Sequence, residues 1–342
     1  MLGLGSACGQ QKYENIEANA FATLIKDSDV SLVDVRTAEE YAEGHISGAI
    51  NIDFRKNDFM EKAKSQLDKS KKIAVYCRSG RRSASAATML ASEGYKVVNM
   101  LGGIVSWKDN KLPTVTSAYE LDTFTTPAGK PLQIYALVHA SIRISYDGME
   151  IEIDPVSKLG NRTIDYSSMP RATHIFVTHE HGDHFDKGAI AQCTGDNTLL
   201  VTNSRCAEML GHGDVMANGD KKTLAEGRIE VEAVPAYNTT PGREKFHPKG
   251  RDNGYILTID GLRIYIAGDT EDIPEMAGIK DIDIAFLPCN QPYTMTTDQL
   301  EKAARMVKPK VLFPYHYGNT DVSHLPEALK NDGIDVRIRH YE

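Results

Sequence analysis

Residues 178–184 of this 342-residue chain read T-H-E-H-G-D-H, and residues 175–178, I-F-V-T, predict a buried strand that leads into the histidines. Four potential metal ligands, His179, His181, Asp183 and His184, therefore lie together where a strand end holds the backbone rigidly. Neutral imidazoles and a carboxylate are the donors that zinc and similar metals prefer in proteins. His179 and His181 share one face of the chain while the other two project elsewhere, so the sequence predicts two adjacent ions.

Two further candidate ligands follow predicted strands later in the chain. Asp269 ends an apolar run in A-G-D-T, where its carboxylate is placed to bridge two ions, and His316 ends another in P-Y-H-Y-G. Hairpin signals at residues 147–148 and 260–261 (both Asp-Gly) and a helical pattern at residues 297–307 predict two sheets between helical layers. Because strand ends collect at one edge of such a sandwich, we expect these side chains to meet.

These segments together resemble the metallo-β-lactamase superfamily. The resemblance rests on T-H-E-H-G-D-H, Asp154 in I-E-I-D-P, Asp269 and His316. Residues 138–144 (V-H-A-S-I-R-I), 263–270 and 313–318 (F-P-Y-H-Y-G) are most similar to its ascorbate-6-phosphate-lactonase-like branch. The match is specific for the fold, here an αββα sandwich, and poorly specific for the substrate.

The chemistry that this resemblance implies is metal-dependent hydrolysis of a small ester, lactone or phosphoester. Two divalent ions, zinc by preference with manganese or iron as alternatives, would hold a hydroxide at neutral pH and polarise the substrate. Asp183 would orient the attacking group or receive a proton, in addition to its role as a ligand. The expected partner of this site is therefore a small-molecule substrate.

The chain departs from the superfamily at the third histidine of the first metal ion. Residues 234–251 read V-P-A-Y-N-T-T-P-G-R-E-K-F-H-P-K-G-R, with Asn238 where that histidine is expected. Three alternatives stay open: Asn238 binds through its amide oxygen, His247 reaches in from the following loop, or the first site is incomplete. We favour His247 or a water over a site with one metal; the competing interpretation of His247 is a surface histidine.

A second motif lies in the first hundred residues, where the predicted strand 73–76 runs into C-R-S-G-R-R, residues 77–82, before a predicted helix. A helix N-terminus and three arginines stabilise the thiolate form of a cysteine, so Cys77 is predicted to be reactive. The alternative is an inert cysteine buried in the core. Cysteine phosphatases place an arginine six positions after the nucleophile. Here that position is Ser83 and the arginine, Arg82, comes one residue earlier, so the shorter loop suits a sulfur atom better than a phosphate.

This spacing resembles that of rhodanese sulfurtransferases, as do L-V-D-V-R-T-A-E-E-Y-A-E-G-H-I-S-G-A-I-N-I (residues 32–52) and L-G-G-I-V-S-W (residues 101–107). The resemblance implies that Cys77 carries a persulfide stabilised by Arg78, Arg82 and the loop amides, with a sulfur donor or thiol acceptor as partner. Alternating strand and helix signals predict an α/β domain with a parallel sheet. We expect a rhodanese-like domain at residues 13–112, a linker at 113–127 and the hydrolase domain at 128–342.

Composition narrows the remaining possibilities. The formal net charge of −8 argues against nucleic acid as a partner, and no apolar run reaches the length of a membrane-spanning helix. The five cysteines form neither a C-x-x-C pair nor a disulfide framework. Residues 1–11, M-L-G-L-G-S-A-C-G-Q-Q, resemble the end of a lipoprotein signal, so a cytoplasmic chain and an exported chain anchored through Cys8, with Met1 as an internal start, both stay open.

The sequence thus predicts a two-domain enzyme that joins a sulfurtransferase to a metal-dependent hydrolase. One alternative is a persulfide dioxygenase, in which a single iron oxidises the sulfur that Cys77 delivers. The domain order and Asn238 count against it. In another alternative the rhodanese-like domain is only a sulfur carrier or docking module, and the intact Cys77 loop counts against a purely structural version.

Overall fold

The computed structural model describes residues 13–37, 40–41, 43–115, 119–160 and 162–341. The chain separates into two compact units, Met1–Ala118 and Tyr119–Glu342. Cys8, on which the lipid-anchor prediction depends, lies outside the described residues. Within the described part of the chain, no helix has the length and apolar character needed to cross a membrane.

The first unit is built on a parallel sheet with the strand order β1-β5-β4-β2-β3. Its strands are β1 (Glu14–Ile16), β2 (Val30–Asp34), β3 (Ile50–Asn51), β4 (Lys72–Tyr76) and β5 (Lys96–Met100). The helices are α1 (Ala18–Leu24), α2 (Phe59–Gln66), α3 (Arg81–Ser92) and α4 (Gly103–Asp109). The core of the sheet consists of apolar residues of β2, β4 and β5, as is typical of strands covered on both faces. The predicted α/β architecture is confirmed.

The second unit contains two seven-stranded sheets. The first has the order β14-β13-β12-β9-β8-β7-β6 and comprises β6 (Glu120–Thr125), β7 (Pro131–Val138), β8 (Ser141–Tyr146), β9 (Met149–Ile153), β12 (Ala172–Phe176), β13 (Thr194–Thr202) and β14 (Asp214–Val215). The second runs in sequence order through β15 (Lys221–Leu224), β16 (Ile229–Ala236), β17 (Asp252–Ile259), β18 (Leu262–Ile266), β19 (Ile284–Pro288), β20 (Val311–Tyr315) and β21 (Asp335–Val336). A short pair, β10 (Lys158–Leu159) and β11 (Arg162–Thr163), stands apart.

Helices form the outer layers of this unit. They are α5 (Lys187–Cys193), α6 (Ser204–Leu210), α7 (Thr297–Val307) and α8 (Leu325–Ala328). α5 packs on β12 and α7 packs on β19, while apolar residues of both sheets form one continuous buried cluster between them. α7 begins with a capping box in which the Thr296 hydroxyl and the Gln299 side chain each bind the other's backbone N–H. The predicted αββα sandwich is therefore confirmed.

Strand β6 occupies part of the segment that the sequence analysis assigned to the linker at residues 113–127. It pairs antiparallel with β7, and its buried Asp122 accepts hydrogen bonds from Arg337 and Arg339. A polar, threonine-rich edge strand has little hydrophobic alternation, so the sequence pattern did not reveal it. At the other end of the same segment, Val115 belongs to the first unit and forms a two-way backbone bridge with His45 of that unit.

Candidate metal centre

The candidate site lies at one edge of the sandwich, where several strand ends meet. The loop that follows β12 carries residues 179–184, Asp269 follows β18 and His316 follows β20. The two-residue turn between β7 and β8 adds His139. Hydrogen bonds from His316 N to His139 O (3.2 Å) and from Asn253 N to Thr178 O (3.1 Å) join the two sheets at this edge.

The potential ligands form two groups of four. The first ligand group consists of His179, His181, His247 and Asp269, and the second of His139, Asp183, His184 and His316. Within each group, one donor atom per residue lies within 4.8 Å of the other three. Asp269 faces both groups, because its carboxylate oxygens lie 3.2 Å from His184 Nε2 and 3.3 Å from the Nε2 atoms of His247 and His316.

The structure thus brings together all six residues that the sequence analysis predicted as metal ligands. His179 and His181 lie in the first group and Asp183 and His184 in the second, which is the division that was expected from the sequence. The geometry places Asp269 between the groups, where a bridging carboxylate was expected.

Of the two candidates for the third position of the first group, the structure places His247 there. His247 is fully buried among the ligands and is not a surface histidine. Asn238 belongs to neither group: its Nδ2 donates to Tyr293 O at 2.7 Å, and its backbone N donates to His247 O at 2.9 Å. Asn238 therefore fixes the path of the loop that brings His247 back to the site.

His139 was not among the metal ligands predicted from the sequence, where it appeared only within a segment that carries the family resemblance. The available signal was a histidine that interrupts an apolar run at a hairpin turn, in L-V-H-A-S-I. Such a position ordinarily takes glycine or asparagine because it requires a positive φ, and His139 has a φ of 54°.

Two buried carboxylates orient the histidines from behind. Asp154 Oδ2 lies 2.7 Å from His184 Nδ1, and its Oδ1 accepts a hydrogen bond from Thr178 N at 2.7 Å. Asp252 Oδ2 lies 3.0 Å from His247 Nδ1, and its Oδ1 accepts from Arg251 Nε at 2.6 Å. A proton on each Nδ1 satisfies these contacts and leaves the Nε2 lone pair facing the ligand group.

Several buried atoms that face the site lack a hydrogen-bond partner in the described part of the chain. They are the Nε2 atoms of His184, His247 and His316 and Oδ1 of Asp269. The carboxylate oxygens of Asp269 lie 3.2–3.3 Å from these three Nε2 atoms, but not at angles that form hydrogen bonds. Buried polar atoms left unsatisfied are costly, about 1–3 kcal/mol each. Divalent cations between imidazoles and carboxylates would satisfy them, so these residues fit two metal ions.

The electrostatics of the site favour bound positive charge. Burial lowers the pKa of His316, but the charge of Asp269 and the contacts with Asp183 and Asp269 together outweigh burial and raise this pKa to about 9. The pKa of His184 is likewise raised, against burial, by the charges of Asp269 and Asp154. Burial raises the pKa of Asp183, but its contacts with His139 and His316 outweigh it, and the net shift is downward.

The Cys77 loop of the first unit lies between β4 and α3. The turn depends on Gly80, with a φ of 88°, and on Gly103, where a Cβ would lie 2.3 Å from the carbonyl oxygen of Cys77. The Cys77 side chain is 1% exposed, and Ser83 Oγ lies 3.5 Å from its Sγ. We expected Cys77 to be either a reactive thiol at a helix N-terminus or a buried, inert cysteine. The structure shows that it is buried and also lies at a helix N-terminus, so these two interpretations do not exclude each other.

The arginines of this loop differ in their contacts. Arg82 donates to both carboxylate oxygens of Glu40, at 2.6 and 2.7 Å, whereas Arg78 is exposed. The hydrogen bonds from Arg82 lower the pKa of Glu40 to about 2. The charge of Arg82, which the rhodanese resemblance assigned to the persulfide, is thus shared with a carboxylate 42 residues away in sequence.

Comparison with known proteins gives the class of this chain. A beta-lactamase superfamily domain matches residues 133–316, more than half of the chain, and a rhodanese-like domain matches residues 17–110. The chain therefore belongs to the beta-lactamase superfamily and carries a rhodanese-like domain at its N-terminal side. The resemblance to the ascorbate-6-phosphate-lactonase-like branch stays a prediction.

Individual relatives match the second unit. A UPF0173 metal-dependent hydrolase of Archaeoglobus fulgidus is 29% identical over 220 residues, which cover 60% of this chain and 94% of the relative. A crystal structure of a candidate metal-dependent hydrolase from Parabacteroides distasonis is 54% identical, with a TM-score of 0.63, over 66% of this chain and 100% of that chain. The metallo hydrolase Igni18 of Ignicoccus hospitalis, 24% identical with a TM-score of 0.53, covers 60% of this chain and 94% of its own and shares the fold.

Proposed function

We propose that the second unit is a binuclear metal-dependent hydrolase that acts on a small ester, lactone or phosphoester. The observation that carries the proposal is that two ligand groups of four residues each lie side by side. Asp269 lies between them and contacts histidines of both. The relatives named as metal-dependent hydrolases support the reaction type. None of them fixes the substrate.

The residues of the site divide the work between holding ions and meeting substrate. Two bound divalent ions would supply a water of lowered pKa and polarise the substrate oxygen. Asp154 and Asp252 hold His184 and His247 in the tautomer that presents Nε2. The side chain of Asp183 is 33% exposed, whereas Asp269 is 2% exposed, so Asp183 is the carboxylate placed to orient a nucleophile or to receive its proton.

The test is a panel of nitrophenyl esters, phosphomonoesters, phosphodiesters and lactones, assayed with metal-depleted and reconstituted full-length protein. We expect hydrolysis of at least one class that disappears with a chelator and returns with zinc or manganese. Asp183→Asn should lower kcat by about 10²–10⁴-fold if Asp183 handles a proton. Protein that holds two ions but hydrolyses none of the panel, or does so without metal, would refute the proposal.

We further propose that Cys77 forms a persulfide and makes the first unit a sulfurtransferase. The support is the match of residues 17–110 to a rhodanese-like domain and the position of the thiol at the N-terminus of α3. Cys77→Ser should abolish sulfur transfer from thiosulfate to cyanide and leave the metal content unchanged. Ser85→Ala, on the exposed side of α3, is the matched control. Transfer that survives Cys77→Ser would overturn this assignment.

The persulfide dioxygenase remains as the second candidate because His247 removes one objection to it. The first ligand group now has three histidines, which the gap at Asn238 had called into question. Against it stands the second group, which offers four donors to another ion where the dioxygenase needs a single iron. Oxygen uptake on glutathione persulfide by iron-loaded protein would favour the dioxygenase, and its absence would exclude it.

A further inference from the structure

We propose that His139 is a direct ligand of the ion in the second ligand group, which makes the two ions of the site unequal in affinity. This inference rests on the proposed binuclear site and goes beyond it. The residue comes from the β7–β8 turn, about 40 residues before the T-H-E-H-G-D-H run.

The placement of His139 is that of a ligand. Its Nε2 lies 3.3 Å from Asp183 Oδ2, and His316 Nε2 lies 3.4 Å from the same oxygen. The rings of His139 and His316 are 3.8 Å apart between centroids and are tilted by 46°. Both imidazoles therefore converge on Asp183, and the side chain of His139 is only 6% exposed.

The backbone at this position is strained and is held in place by the neighbouring ligand. His139 and His316 have φ values of 54° and 51°, in a region that residues with a Cβ rarely adopt. His139 N donates to Tyr341 O at 3.0 Å, and His316 N donates to His139 O at 3.2 Å. A turn in this conformation would be more stable with glycine, and strain of this kind concentrates at functional sites. The histidine is therefore best explained by what its side chain binds.

The consequence is an asymmetry between the two ions. With Asp269 counted for both, the second ion has five protein donors and the first has four: His139, Asp183, His184, His316 and Asp269 against His179, His181, His247 and Asp269. Zinc in proteins is commonly four-coordinate, whereas manganese and iron accept more ligands. We expect the second ion to bind more tightly and to tolerate manganese or iron better than the first.

A rival interpretation is that His139 only donates a hydrogen bond to Asp183 and orients it. His139→Ala removes both roles, whereas His139→Gln keeps an N–H donor of similar reach in place of the imidazole. If His139 is a ligand, both variants lose affinity for one ion. If it only orients Asp183, His139→Gln behaves like the wild type.

The experiment is a titration of the metal-free full chain with Co²⁺, followed by its visible absorption and by ions bound per chain. The wild type should bind two ions in two phases. His139→Ala and His139→Gln should weaken the tighter phase by at least about 10–100-fold, the range for outer-shell partners, and change its spectrum. His174→Ala, which removes a buried histidine of β12 outside both groups, should leave both phases unchanged.

The outcomes separate the two proposals. If His139→Ala, or His139→Gln alone, binds Co²⁺ in the same two phases as the wild type, His139 is not a ligand. The proposed binuclear hydrolase would be unaffected by that result. A wild-type chain that binds fewer than two ions overturns the binuclear site and this inference with it. Circular dichroism of each metal-free variant distinguishes lost binding from lost folding.

Discussion

Asp252→Asn is the substitution whose effect follows most directly from the geometry of the site. Asp252 is fully buried, and both of its oxygens accept hydrogen bonds: Oδ1 from Arg251 Nε at 2.6 Å, and Oδ2 from Arg251 Nη2 at 2.9 Å and His247 Nδ1 at 3.0 Å. An asparagine must turn its NH₂ group towards one of these two donors. In either orientation Arg251 loses its charged partner, and His247 Nδ1 faces at best a neutral amide oxygen in place of the carboxylate that makes the imidazole a stronger ligand.

The expected loss concerns the first ligand group alone. Removal of an outer-shell partner of a metal-binding histidine typically costs 10–100-fold in affinity, which corresponds to about 1.4–2.8 kcal/mol. His247 is the only member of its group that Asp252 contacts among the described residues, so the second ion should be retained. We therefore expect Asp252→Asn to release one ion at chelator concentrations that leave both ions in the wild type.

The assay is dialysis against graded chelator concentrations, with bound ions counted at each step. Asp154→Asn makes the same change behind His184 and should release the other ion. Asp122→Asn, a buried carboxylate that binds Arg337 and Arg339, is a control expected to keep both. Unchanged retention in folded Asp252→Asn, or loss of the same ion in Asp252→Asn and Asp154→Asn, would refute this reasoning.

Further predictions concern the same site and the Cys77 loop. His247→Ala should bind one ion fewer than the wild type and Asn238→Ala should bind both, as measured by elemental analysis; the opposite pattern would restore Asn238 as the ligand. Chelation should lower the melting temperature of the second unit, followed by calorimetry, because buried Nε2 atoms and Asp269 Oδ1 lose their partners, and metal should restore it. Because the folded-state pKa of Glu40 is lowered from 4.5 to about 2, its pairing with Arg82 stabilises the first unit above about pH 4.5 and is lost as the pH falls towards 2. The difference in melting temperature between the wild type and Glu40→Gln should therefore shrink over that range, and a difference independent of pH would contradict the ion pair.

The part of the site that the sequence predicted consists of residues next to strands. His179, His181, Asp183 and His184 sit in one short run after β12, and Asp269 and His316 directly follow β18 and β20. Local hydrophobic patterns place strand ends, and the sandwich then brings them to one edge. Both folds were predicted for the same reason.

The roles of the remaining site residues depend on tertiary structure, because the local pattern marks His139 only as an unusual turn residue and leaves His247 as one of several alternatives. His247 lies nine residues beyond the expected position, and its place was set by the path of a loop that Asn238 and Glu271 hold: Glu271 accepts from the backbone N–H groups of Thr239 and Thr240. His139 sits in a turn whose function appears only when the second sheet is opposite it. The burial of Cys77 likewise depends on the close approach of Gly103.

The central claim is that this chain holds two metal ions at the edge of its sandwich. The most direct test is elemental analysis of the full-length protein, purified without added metal and measured again after reconstitution, reported as ions per chain. We expect two zinc or manganese ions per chain, and one in His247→Ala. A wild type that holds a single iron would contradict it in favour of persulfide oxidation, and one that holds no metal after reconstitution would shift the activity to Cys77 of the first unit.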